Sequence, residues 1–118
     1  MADYLPKYMG HAITMTASAA VEGGRLVALT GPYQVATAAA NSPSIVGVAG
    51  FDAGAGERVT VYTRAGGVHP LIAGAAVAAG ARVASTTGGR VQTAVAGDNV
   101  IGTAITGGAT GATVEVMF

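Results

Sequence analysis

The last twenty residues, NVIGTAITGGATGATVEVMF (Asn99 to Phe118), lie over SIVGVAGFDAGAGERVTVYT (Ser44 to Thr63) without a gap when the chain is slid by 55 positions. Gly47 falls on Gly102, Ala49 on Ala104, Gly56 on Gly111, Val59 on Val114 and Val61 on Val116. Each copy reads as two apolar strands around a glycine turn. A lone hairpin cannot bury its own apolar face, so writing it twice points to two β-rich halves that close on each other. With single-residue gaps the repeat runs upstream. VATAAANS (Val35 to Ser42) matches VQTAVAGD (Val91 to Asp98), and Arg25 with Thr30-Gly31 matches Arg82 with Thr87-Gly88. The expected organisation is an arm over 1–10 and one β domain over 11–118, with an internal repeat at 25–63 and 82–118.

The strand grammar supports a mainly β fold. In AITMTAS (Ala12 to Ser18), Ile13, Met15 and Ala17 alternate with Thr14, Thr16 and Ser18, the period of a strand with one buried face. LVALTG, IVGVAGF, VTVYT, ARVAST, RVQTAV, VIGTAI and TVEVMF continue the pattern between glycine-bearing turns. Turns about every ten residues suit a small barrel or sandwich of two similar β-meander halves. One stretch breaks the rule: IAGAAVAA (Ile72 to Ala79) reads as a two-turn helix ended by Gly80 or as a loop with a short strand. The expectation is at most one short helix.

Composition narrows the function classes. Charged residues make up 10% of the 118-residue chain and hydrophobic residues 51%, against a usual charged share of about a quarter. Much of the surface must therefore be Ala, Thr, Gly and Ser, and broad surfaces of that kind mark contacts. Six basic and six acidic residues cancel, which leaves no field for nucleic acid or an anionic membrane. There is no cysteine, so no disulfide or thiolate metal site. The opening MADYLPKYMGH carries Asp3 and Lys7 before any apolar run, unlike a secretory signal. The most apolar stretch, Leu71 to Ala81, falls short of the ~20 residues of a membrane span.

Catalytic constellations are missing. His11 and His69 are the only histidines, and neither has a second ligand at metal spacing. Asp52 and Glu57 flank a glycine turn, where they suit the turn better than acid-base work. GGATG lacks the Lys-Ser/Thr of a phosphate loop. No catalytic, metal or cofactor-binding residue is assigned, and no cofactor is expected. Tyr4, Leu5, Pro6, Lys7 and Tyr8 form a Pro-containing lead with two tyrosines, a pattern that suits an arm ordering on a partner. Tyr62 on VTVYT reads as a packing residue at the edge of the core.

The order of these pieces, ITMTASAAVEGGRLVAL, then SIVGVAGFDAGAGERVTVYTRAGGVHPLIAGAAVAAGARV, then NVIGTAI and GATVEVMF, resembles the capsid decoration (cement) proteins of tailed bacteriophages. The likeness covers nearly the whole chain, and its sharpest pieces are the GVA hairpin and Ala78-Ala79-Gly80-Ala81-Arg82-Val83. A looser likeness extends to the head decoration protein of phage lambda. The resemblance implies a virion protein without enzymatic activity. It would bind the major capsid protein as a homotrimer, on the outer surface of the expanded head at three-fold and quasi-three-fold junctions, after manufacture in the host cytoplasm. It implies no contact with nucleic acid or membrane. Where relatives often carry an acidic residue after this glycine, the chain has Ala81-Arg82. The arm residues are expected at the capsid contact, and Ala76 and Ala78 at a trimer or capsid interface. Two rival readings stay open on the residues alone: another phage structural β-module (tail tube, fibre or coat domain) and a small ligand-binding barrel.

Overall fold

The computed structural model describes residues 11–64 and 67–118. Ten strands and no helix are found there. The first half contains β1 (Ala12–Ala17), β2 (Leu26–Gly31), β3 (Gln34–Thr37), β4 (Ile45–Ala49) and β5 (Arg58–Thr63), closed into a barrel in the order β1-β3-β2-β4-β5. The second contains β6 (Val68–Ile72), β7 (Arg82–Thr86), β8 (Arg90–Thr93), β9 (Gly102–Ala104) and β10 (Thr113–Met117), in a sheet ordered β6-β10-β9-β7-β8. Neither half is a plain meander: β1 runs parallel to β3 while its other edge pairs with β5, and β6 pairs with β10, the last strand, rather than with β7.

The two halves repeat each other pairing by pairing. β1–β5, β4–β5, β2–β4 and β2–β3 answer to β6–β10, β9–β10, β7–β9 and β7–β8, all antiparallel. Even the isolated bridges correspond, Val21 to Ala53 in the first half and Val77 to Gly108 in the second. The registers Val27 to Thr37 and Val83 to Thr93 match Leu26, not Arg25, to Arg82. IAGAAVAA takes the non-helical form: Val77 is held by backbone bonds of 2.9 and 2.8 Å with Gly108, and Gly80 turns the chain at φ +87°.

Alternation places the cores. Met15, Ala17, Val27, Val35, Ala49, Val59 and Val61 fill the first barrel. Their counterparts Leu71, Ala73, Val83, Val91, Ala104, Val114 and Val116 form the core of the second half. A third layer joins them: Leu26, Ala28, Ala38, Ile45, Val48 and Ile101 share one cluster with the second-half core. Leu26, Val27 and Ala28 are all buried, because β2 faces its own barrel on one side and the other half on the opposite side.

Glycine sits where backbones come too close for a side chain. A Cβ on Gly47 would lie 2.1 Å from the carbonyl oxygen of Tyr62, and one on Gly102 would lie 2.4 Å from that of Met117. That is the physical content of the Gly47/Gly102 match in the sequence. The turn residues Tyr33 (φ +55°) and Gly89 (φ +70°) occupy the same place in the two halves. Tyr33 is exposed, whereas Gly89 is buried and donates its N–H to the Ala38 carbonyl at 3.1 Å.

Candidate docking surface

The polar groups of the described residues mostly hold backbone in place. Between the halves, the Ser85 hydroxyl accepts the Ser42 N–H at 2.9 Å and donates to the Ala39 carbonyl at 2.9 Å. It has no solvent exposure, so this pair of bonds is the buried polar pin of the interface. Nearby, the Asn99 N–H donates to the Asn41 side-chain oxygen at 2.7 Å, and Leu26 N–H donates to Gly89 at 2.9 Å. Arg64 reaches the carbonyls of Ile45 and Ile101, both at 3.4 Å, and so bridges the two halves. Arg25 donates to the Gly88 carbonyl at 3.0 Å and meets Glu22 at 3.6 Å, the one ion pair among the described residues.

The acids act in turns, as their glycine neighbours suggest. Asp52 accepts the Gly23 N–H at 2.8 Å, Asp98 accepts that of Val95 at 2.9 Å, and Glu57 accepts that of Gly54. His69 stacks on Phe118 with ring centroids 4.7 Å apart. No group of three or more His, Cys, Asp or Glu side chains converges on a metal-sized site among the described residues. One surface hollow of about 380 Å³ is lined in part by Arg64, Arg82, Met117 and Phe118.

What the surface does offer is apolar area, and it is uneven. On the outer face of the second half, Val68 (51% exposed) lies directly across from Met117 (47% exposed), with Pro70 across from Glu115 on the same two strands. The matching face of the first half carries Ala12 across from Tyr62, Thr14 from Thr60 and Thr16 from Arg58. Tyr62 is 47% exposed and caps Gly50, whose Cβ would come 2.9 Å from its ring, so it packs locally while still facing water. Ala76 and Ala78 are both exposed, on the loop either side of Val77. Tyr4, Leu5, Pro6, Lys7 and Tyr8 lie outside the described residues. Val68 and Met117 escaped the sequence reading because Pro70 disguises β6; the signal was the alternation of outward Met117 with inward Val116.

These features define a small all-β structural module whose outward groups suit contact rather than reaction. The phage cement protein family model matches residues 8–118, and the chain belongs to that family. It is a structural component of a phage head and not an enzyme. Among solved structures it is similar to the head fiber gp8.5 N base of bacteriophage phi29. The TM-score is 0.75 over 91% of this chain and 92% of that chain, at 22% identity, a likeness of fold. No curated protein matches the sequence.

Proposed function

We propose that this cement protein binds the outer surface of the expanded capsid as a homotrimer, at three-fold and quasi-three-fold junctions, and stabilises the head. The observation that carries the reading is the exposed Val68/Met117 face on a chain with only 10% charged residues. Such a face gains free energy by burial, at roughly 25 cal/mol per Å² before association costs are subtracted. A trimer multiplies weak footings, because the second and third bind at high effective concentration. Three-fold closure needs a heterologous patch on each copy, and the unlike outer faces of the two halves provide two different surfaces per copy.

In this reading the arm over 1–10, with Tyr4, Leu5, Pro6, Lys7 and Tyr8, contacts the capsid, and Ala76 and Ala78 lie at the trimer or capsid interface. The test is to add purified protein to expanded heads that lack it and to image them. Density at three-fold positions, together with a trimeric mass, is the expected result. Density elsewhere, or heads left bare, rejects the reading. Protein lacking residues 2–9 should fold normally and bind heads more weakly; undiminished binding would remove the arm from the contact.

A further inference from the structure

On the edge turned away from its antiparallel partner, β1 keeps a backbone donor where its counterpart β6 has a proline. The backbone bonds Thr63 N–H to His11 carbonyl and Ala17 N–H to Glu57 carbonyl, both 2.8 Å, fix which β1 residues face β5: those with odd numbers. Ala12, Thr14 and Thr16 therefore turn their N–H and C=O groups the other way. Thr16 is satisfied there, since its N–H donates to the Tyr33 carbonyl at 2.8 Å. The parallel ladder with β3 begins only at Thr16, opposite Gln34. Among the described residues, no backbone pairs with Ala12 or Thr14 on that side.

In the second half the same parity holds, because Phe118 N–H bonds the Gly67 carbonyl and Ala73 N–H bonds the Ala112 carbonyl. The residue in the place of Thr14 is Pro70, as the pairs Thr14 to Thr60 and Pro70 to Glu115 show. Proline has no N–H to offer and blocks strand addition at an edge. One edge thus carries a proline, and its twin keeps at Thr14 a donor that no described backbone group takes up.

Beside this edge of β1 runs a groove of about 210 Å³ lined by Thr14, Met15, Thr16, Tyr33 and Arg58. Arg58 is exposed and has no acidic partner among the described residues. An unpaired guanidinium at the rim favours a carboxylate in whatever lies there. We propose that Ala12 and Thr14 accept an extended segment of the capsid shell protein by strand addition, with an acidic side chain of that segment meeting Arg58. This rests on capsid binding as the function. Main-chain bonds would supply the pairing, and Arg58 its register.

The variant Thr14→Pro tests it, with Pro70→Thr and Arg58→Glu alongside. Because proline already stands at the matching place in the second half, Thr14→Pro should keep the wild-type melting curve and solution mass. Its apparent affinity for undecorated heads should fall about tenfold, the loss of one or two main-chain bonds. Pro70→Thr should bind as wild type, and Arg58→Glu should bind several-fold more weakly. Hydrogen exchange of bound wild-type protein gives a reading independent of any variant: the amides of Ala12 and Thr14 should become protected on heads. Wild-type binding with undiminished Thr14→Pro binding and no such protection overturns this proposal alone. A changed solution mass in Thr14→Pro would assign the edge to a second copy of the chain and overturn it equally. Wild-type protein that leaves heads bare removes the capsid reading and this proposal together.

Discussion

Where β1 meets β3, two successive residue pairs, Thr16 to Gln34 and Ala17 to Val35, close the first barrel. Where β6 meets β8, only the bridge from Ala73 to Val91 remains, the counterpart of the second of those pairs. The inward side chains are nearly interchangeable between the halves, so packing does not explain the difference. The outward ones are not: Thr14, Thr16 and Arg58 in one half stand against Pro70, Ile72 and Thr113 in the other. The repeated interior builds the same ring twice, and the outward positions specialise each ring. One has a hydrogen-bonding edge, the other an apolar face behind a proline.

The largest expected effect lies at the paired glycines. Gly47→Ala forces a Cβ against the Tyr62 carbonyl and the Thr63 backbone inside the closed ring, at a cost of about 3 kcal/mol. Gly102→Ala meets the Met117 carbonyl in the half whose first and third strands meet through a single bridge, and should cost about half as much. Denaturant melts compare them directly; equal losses would mean that the open seam lends the second half no freedom.

Next is the pin between the halves. Ser85→Ala leaves the Ser42 N–H and the Ala39 carbonyl without their shared hydroxyl, a loss of about 1–3 kcal/mol. The two halves should then separate into two thermal transitions or keep one at lower temperature. An unchanged melt would show that Leu26, Ile45 and Ile101 hold the halves together without it.

The smallest effect concerns the seam itself. The Gly74 N–H bonds the Val91 carbonyl at 2.7 Å and the Ser18 N–H bonds that of Val35 at 2.8 Å, matching bonds at the two closures. With one bridge in place of two pairs, Gly74 should exchange its amide hydrogen about tenfold faster than Ser18. Equal rates would show that the second ring is closed in all but geometry.

Much of this was legible in the sequence. The Gly47/Gly102 match and the Val-x-Val pairs carried the duplicated hairpin, because close backbone approach and inward alternation both demand particular residue types. β6 was not legible: a proline within five residues hides a strand unless the position is known to be an edge. The match of Arg25 to Arg82 also misled by one place, since identity of side chain is weak where both arginines lie on the surface. The IAGAAVAA stretch was ambiguous because alanine suits helix and loop alike, and only the Val77–Gly108 bridge decides it. The docking surface was hidden for a related reason. Whether Met117 faces in or out follows from register, and register depends on strands far apart in the chain.

Either apolar burial or a few charges hold the protein to the head. If apolar burial does, the contact is little screened by salt, whereas exposed ion pairs contribute at most about 1 kcal/mol each. The measurement is occupancy of decorated heads across a salt series from about 0.1 to 1 M, over which the screening length falls from about 10 to 3 Å. Occupancy that stays level across the series is the predicted result. Protein that washes off steeply as salt rises would contradict it and place the binding energy on a few charges, with the exposed Arg58 and Arg82 the first candidates, since Arg25, Arg64 and Arg90 are engaged with backbone carbonyls.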